Sequence, residues 1–411
     1  MNRELRNDAE KIIEGSIRAV LPDRAVTKAL QNFRPGKGRT VLVAAGKAAW
    51  QMASAAVGAG IRIDDGIVIT KYGHVKGELP GILCCEAGHP VPDEAGFHAT
   101  EKALQLVRPL GEDDTVLFLL SGGASALFEL PLIPGEELQA ITKKLLASGA
   151  DITEINTIRK RLSGVKGGRF AQAAHPARVY SILLSDVPGN RPDMIGSGPA
   201  CPDPSTCRDA CEIAERYLPD LAREVREHLT HETPKQLELV DTVITGSVRE
   251  LCAAAQNICR ELSYEPVLLT DELCSEAREA GTMLACIAKT HAGRGRRVAF
   301  IAGGETVVHL TGNGKGGRNQ ELALSAAPEL SGIPGVAVFS VGSDGTDGPT
   351  DAAGGYADGD TCGELAAKGI DIRKALSDHD SYHALQAVGG LIMTGPTGTN
   401  VNDLSVVLVG G

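Results

Sequence analysis

Short apolar runs alternate with longer amphipathic stretches along most of this chain, a pattern that predicts parallel sheets covered by helices. Residues Asn7 to Phe33 place Ile12, Ile13, Ile17, Val20 and Leu21 on one stripe, so one helix is expected there. Thr40 to Ala45, Gly66 to Thr70, Ile82 to Glu86, Thr115 to Leu120 and Val179 to Ser185 read as strands. Helices are expected from Ala48, over Glu94 to Val107, over Gly135 to Ala147 and over Thr153 to Leu162. A charge-rich helical stretch, Thr206 to His231, ends near Thr233-Pro234, which sets the expected end of a first domain, 1–235. Strands at Asp241 to Thr245, Pro266 to Leu269, Val298 to Ala302, Val336 to Val341 and Leu404 to Val409 then alternate with helices at Val248 to Leu262 and Ser275 to Thr290. The fold class expected is α/β, with two parallel-rich domains, the first Rossmann-like and the second spanning 236–411.

Length supports that division, because 411 residues exceed what one core ordinarily organises. The net charge of -11 argues against general binding to nucleic acid or an anionic membrane, so an anionic small substrate would need local cations. Ten cysteines occur with no C-x-x-C pair, which favours buried free thiols in a reducing cytoplasm over a metal cluster. There is no apolar span of membrane length and no signal-like core near Met1, so a cytoplasmic protein is expected.

The 49 glycines follow no collagen-like period and concentrate in loops at strand ends. Gly46-Lys47 follows the first strand, but Val41 and Ala48 break the P-loop pattern, so Lys47 is not a Walker lysine. A lysine at a helix start opposes the helix dipole, which is a hint of use; a solvated surface lysine is the plainer alternative. His89 reads as a structural hydrogen-bonder. The small residues Ser121, Gly122, Gly123, Ala124 and Ser125 leave the strand Thr115 to Leu120 and open the backbone to a carboxylate or phosphate. Asn156, Arg159 and Ser163 share a helix face, and Asp186 heads a proline-rich loop that also carries Asp193, where it could meet a metal or a hydroxyl or cap a turn.

The loop Gly312-Asn313-Gly314-Lys315-Gly316-Gly317, ahead of Arg318 and Asn319, satisfies two functional readings beside that of a plain surface turn. Gly312, Gly314 and Gly317, with Asp344 beyond, match the G-x-G-x-x-G dinucleotide pattern, whereas Lys315 and Arg318 beside bare amides suit phosphoryl oxygens. Asp344, Asp347 and Asp351 suggest a hard cation such as Mg²⁺, without the EF-hand order; capped turns alone also account for them.

Taken as an ordered series, these motifs resemble the class II glycerate kinases, whose C-terminal part is the MOFRL domain, here about 295–405. The resemblance is carried by Leu120 to Leu127, Asn156 to Arg169, Ser185 to Gly189, Gly303 to Thr306, Gly314 to Glu321, Ser343 to Gly348 and Thr397 to Asp403. It implies two α/β domains with the active site in the cleft between them, and transfer of the ATP γ-phosphoryl group to the 2-hydroxyl of D-glycerate with a divalent cation. Lys47 and Arg318 match the family's important basic residues. On this reading Lys47, Arg318 and Asp186 are the catalytic candidates, and the loop Ser121 to Ser125 holds the acid's carboxylate. Lys315, Gly316, Gly317 and Asn319 face phosphate, while Asp186, Asp193, Glu305 and Asp344 are the metal candidates. D-Glycerate and ATP are the expected partners, with neither nucleic acid nor membrane; whether the chain forms a homo-oligomer is left open. An NAD(P)H-dependent hydroxypyruvate reductase and a non-catalytic sensor of sugar acids are the alternatives.

Overall fold

The computed structural model of the chain describes residues 1–185 and 191–410. Two compact units emerge, one of Pro22–Thr245 and one that joins Met1–Leu21 to Gly246–Gly411.

The Pro22–Thr245 unit is built on six strands: β1 (Thr40–Ala45), β2 (Asp65–Lys71), β3 (Ile82–Ala87), β4 (Thr115–Leu120), β5 (Arg178–Leu184) and β6 (Val240–Thr245). They lie in the order β3-β2-β1-β4-β5-β6, and every pairing is parallel. β1 and β4 are buried at every position. Alternate side chains feed two cores: Val41, Val43, Val116 and Phe118 on one face, Leu42, Ala44, Leu117 and Leu119 on the other. Because the chain fills the sheet outward from β1 in one direction and from β4 in the other, the order reverses between these two strands. A crevice outside their carboxyl ends is where open parallel sheets bind ligands.

The other unit also has six strands: β7 (Glu265–Leu273), β8 (Val298–Gly304), β9 (Val336–Gly342), β10 (Gly354–Asp358), β11 (Leu391–Ile392) and β12 (Asp403–Val409). Their order is β11-β10-β9-β12-β8-β7. Only β7 and β8 run parallel; the other pairings are antiparallel. The expectation of a second parallel-rich sheet is thus corrected to a mixed one. Strand-helix alternation fixes neither direction nor neighbour, and the last strand, β12, inserts between β8 and β9. Val406 and Leu408 face a core closed by the helices Arg3–Ala19 and Val248–Glu261. Val407 and Val409 face the helices Ala277–His291 and Arg318–Leu330.

The expected single helix over Asn7 to Phe33 is two, Arg3–Ala19 and Pro22–Leu30. Pro22 cannot continue a helix, yet its fixed φ suits the first position of a new one. The two helices serve different cores: Ile12, Ile13 and Ile17 pack with Leu251, Cys252 and Ala255, whereas Ala25, Val26 and Leu30 join the core on one face of the first sheet, toward β5 and β6. The expected boundary near Thr233-Pro234 likewise moves to between Thr245 and Gly246, because β6 completes the first sheet against β5. All ten cysteines are free, but only Cys201, Cys252 and Cys259 are buried, and Cys274 and Cys286 are exposed. Among the described residues no helix is long and apolar enough to cross a membrane.

Beneath the β4 loop, the buried Lys166 ammonium meets Glu129 at 2.7 Å and donates to the Phe128 carbonyl at 2.9 Å. Burial, offset only in part by Glu129, pushes Lys166 down to about 8. Removing one partner would strand the other charge among Phe118, Phe128 and Phe170. Lys166→Met is therefore expected to destabilise this unit by about 3–5 kcal/mol, and adding Glu129→Leu to recover most of the loss. Calorimetric unfolding of both variants tests the pair; a single variant as stable as the parent would show it contributes nothing.

Candidate active site

Lys47 and the Ser121–Ser125 loop meet at the switch point. The Ser121 N–H donates to the Ala45 carbonyl at 3.0 Å, and the Lys47 N–H to the Gly122 carbonyl at 2.9 Å. The Ala48 N–H reaches the Ser121 hydroxyl at 3.0 Å, so the two strand exits are laced together. Gly46 has φ 121°, and a Cβ there would collide with the Ser121 side chain at 2.3 Å, which makes glycine necessary for this close approach. Gly123, at φ 85°, sits between the His89 ring and the Lys47 stem, each 3.1 Å from where its Cβ would be.

His89 therefore belongs to the site, although the sequence pointed only to a structural role. Burial first, then the charges of Lys47, Lys71 and His74, depress its pKa to about 4, so the imidazole is neutral at neutral pH. Among the described residues no carboxylate pairs with the Lys47 ammonium; the Lys47 carbonyl accepts from His74 Nδ1 at 2.9 Å and the Thr70 hydroxyl at 3.3 Å. The result is a local excess of positive charge on a protein whose net charge is -11.

Ser125, at the far end of the loop, is held by a second set. Its hydroxyl lies 3.2 Å from that of Ser197, which donates to the Asn156 carboxamide at 2.9 Å. Ser197 has φ 63°, a left-handed conformation that costs a non-glycine residue free energy and is retained where neighbours enforce it. The Arg159 guanidinium donates to the Ser125 carbonyl at 2.8 Å. Asp193, a metal candidate, lies 3.4 Å from Lys160 and 2.9 Å from Arg191, so its charge is already matched. Asp186 lies outside the described residues.

Arg318 opens the helix Arg318–Leu330 in the other unit. Its guanidinium grips Asp403 through two bonds, of 2.5 and 3.0 Å, and its remaining nitrogen lies 3.1 Å from Glu305. Burial pulls Arg318 down, but the Asp403 contact outweighs it and the pKa stands above the ordinary arginine value. The fork expected to meet phosphoryl oxygens is thus largely taken by Asp403. Only the side facing the exposed Glu305 is open to exchange, which also places Glu305 with a cation rather than a metal.

The glycine loop ahead of Arg318 departs from expectation in an informative way. Cβ atoms at Gly312, Gly314 and Gly316 would strike Asp378, Asp378 again and Ser381 at 2.3–2.5 Å. The Asn313 and Lys315 N–H groups donate to Asp378 and Asp380 side chains at 2.9 and 3.1 Å, and Gly314 to the Asp378 carbonyl at 2.7 Å. The helix start is capped by the buried Asp347, which accepts from the Asn319 and Gln320 N–H groups at 3.2 and 2.9 Å. Burial raises Asp347 to about 6 against the lowering effect of those bonds. A pyrophosphate seated on this helix terminus would have to displace that carboxylate, which removes the support for the dinucleotide reading.

Asn319 is buried, its carboxamide engaged by Asp347 at 3.3 Å and Ser340 at 2.5 Å, so it builds the site from behind. The Lys315 ammonium rests 4.0 Å over the Tyr382 ring. Asp344 holds the Thr346 N–H at 2.9 Å and Asp351 the Tyr382 hydroxyl at 2.8 Å, so this run is one of capped turns. Among the described residues no group of three or more His, Cys, Asp or Glu could hold a metal. A pocket of about 450 Å³ remains beside the loop, lined by Gly314, Gly316, Gly317, Arg318 and Glu305 and walled by Val307, Val308 and Leu310.

Comparison with known proteins bears on the family and the fold. Residues 8–230 match a family described as a domain of unknown function, DUF4147, and residues 298–403 match the MOFRL family. The D-glycerate 2-kinase of Thermotoga maritima is 51% identical over 98% of this chain and 98% of its own length. The glycerate 2-kinase of Pyrococcus horikoshii is 40% identical over 99% of this chain and 98% of its own. The crystal structure of the Thermotoga maritima glycerate kinase superposes with a TM-score of 0.95 at 50% identity, covering 100% of both chains. On the strength of fold, motif order and end-to-end identity, the chain belongs to the MOFRL-domain glycerate 2-kinase family.

Proposed function

We propose that this protein is a D-glycerate 2-kinase, which moves the γ-phosphoryl group of ATP to the 2-hydroxyl of D-glycerate and releases 2-phosphoglycerate and ADP. The observation that carries the reading is the cationic loop at the switch point: Lys47, with Lys71 close by, beside Ser121–Ser125 and lacking a described carboxylate partner. Such a loop suits a small anion, and the names of the relatives supply which acid and which hydroxyl.

In the reaction the 2-hydroxyl oxygen forms a bond to the γ-phosphorus and gives up its proton, which passes to solvent, as the bond from that phosphorus to the bridging oxygen of ADP breaks. Charge spreads over the transferred group, and the protein contributes alignment and compensation. The Ser121–Ser125 loop holds the acid, with Lys47 directed at the migrating phosphoryl group. Arg318, with Gly316, Gly317 and Lys315 beside it, receives nucleotide phosphate, and the phosphate takes the place of Glu305 on the outer guanidinium nitrogen. Asp186 remains the candidate for orienting the 2-hydroxyl.

A divalent cation is compatible with the residues only as one carried mainly by phosphate oxygens and water, since Asp193 and Glu305 are paired with cations. Asp344 is the described carboxylate that would hold it. Its contribution when bound is to neutralise charge on the β- and γ-phosphates.

Incubation with ATP, Mg²⁺ and D-glycerate, read by phosphorus NMR, is expected to yield the 2-phospho isomer, and NAD(P)H with hydroxypyruvate to give no oxidation. The 3-phospho isomer would refute the regiochemistry, and nicotinamide turnover the assignment. Lys47→Ala and Arg318→Lys are each expected to lower kcat and kcat/KM together by about 100-fold, with folding checked by calorimetry; an unchanged kcat would remove that residue from the transition state. In an NMR titration, the His89 pKa of about 4 is expected to rise when saturating D-glycerate offsets the neighbouring ammonium charges. A value that stays put or falls would take the acid away from this loop.

A further inference from the structure

Three consecutive cations, Arg159, Lys160 and Arg161, close the helix Ile152–Arg161, and their surroundings differ in one respect. Lys160 is buried against Asp203 at 3.1 Å and Asp193 at 3.4 Å. Arg161 is buried against Glu232 at 3.3 Å and Asp203 at 3.7 Å, and it also donates to the Ser205 hydroxyl and carbonyl. Lys166, nearby, has Glu129 at 2.7 Å. Each of these cations taken out of water has been given a carboxylate, as the cost of burying a bare charge requires.

Arg159 has none. Among the described residues no carboxylate lies within ion-pair distance, and its one hydrogen bond is to the Ser125 carbonyl at 2.8 Å. Its side chain is only partly accessible, and burial lowers its pKa even though Glu129 acts the other way. Glu129 is itself neutralised by Lys166, whose charge also bears on Arg159. The helix dipole alone does not account for the difference, because all three cations sit in the same last turn. What distinguishes Arg159 is that its guanidinium is tied to the loop proposed to hold the substrate, with donors of its five-donor fork left over.

We infer that Arg159 receives the carboxylate of the acid substrate, so that the missing counter-charge is the ligand's and the enzyme prefers anionic over neutral 2-hydroxy compounds. This rests on the kinase reading for the reaction but not for the binding. A carboxylate matches the guanidinium in plane and in charge, and supplies the partner the protein withholds. The Ser125–Ser197–Asn156 chain is the device that keeps the loop carbonyl, and with it the guanidinium, in one place.

The test compares D-glycerate with its neutral analogue D-glyceramide in the full-length protein. In Arg159→Gln the ratio of kcat/KM for D-glycerate over D-glyceramide is expected to fall by about 10- to 100-fold, mainly through KM for the acid. Arg159→Lys, which keeps the charge and loses the fork, is expected to fall between; it serves as the readout if the Gln variant does not fold. Equal losses for both compounds would mean that Arg159 only braces the loop, and no loss would mean that the acid binds elsewhere; either result overturns the inference. Calorimetric binding of D-glycerate without nucleotide separates this from the reaction itself. A parent protein that binds the acid in an Arg159-dependent way but makes no phosphoglycerate would sink the kinase reading alone, whereas binding indifferent to Arg159, or absent, would sink the inference.

Discussion

The grip of Arg318 on Asp403 is the contact around which the loops of the unit built from Met1–Leu21 and Gly246–Gly411 are arranged. Asp403 is the first residue of β12, opposite Gly304 on β8 and Gly342 on β9, so the pair sits where three strand ends meet the head of a helix. A buried carboxylate held through two bonds fixes the guanidinium in place. The neighbouring turns reinforce it. The Thr397 hydroxyl donates to the Ser343 carbonyl at 2.6 Å and the Val401 N–H to the Ser343 hydroxyl at 2.8 Å, so the loops before β12 and after β9 are tied together.

The same economy explains the glycines. Their smooth backbone is used first to let protein approach protein: Gly312 to Gly316 lie against Asp378 to Ser381, and Gly317 admits the Asp347 carboxylate to the start of the helix. The helix terminus is consequently capped from within by Asp347. In the Pro22–Thr245 unit the balance is reversed. There Gly46 and Gly123 bring two strand exits together so that Lys47 and His89 flank one loop, and the cations at that loop are left with an incomplete set of counter-charges.

Buried charge in that unit is met in two ways: Arg169 is held by the carbonyls of Lys160, Arg161 and Ser163, and its neighbours by carboxylates. Lys160 and Arg161 share Asp203, while Lys166 is matched separately by Glu129. Against that pairing, Lys47 and Arg159 stand out because no described carboxylate lies within ion-pair distance of either, which is the contrast the proposals above draw on. A neutral His89 beside Lys47 keeps the local field from rising further while still presenting a hydrogen-bonding ring.

Much of the fold could be read from residues alone. Continuous apolar runs announce β1, β4 and β5 because a strand covered on both faces has no polar side, and Gly46, Ser121 and Gly122 mark strand exits because a backbone approach requires small residues. The order of motifs also identified the family. Direction of pairing was not legible: β12 looks like any other apolar run, and only packing between β8 and β9 made it antiparallel. Nor was ownership of an element, since Pro22 could be read as a break in a helix but not as the point where the chain passes from one core to another. The site divided in the same way. Residue type nominated Lys47 and Arg318, whereas the surroundings of His89, Asp347, Asp403 and Arg159 were decided in three dimensions, because a charge acquires its meaning from the partner it finds or lacks, and partners dozens of residues apart leave no trace in spacing.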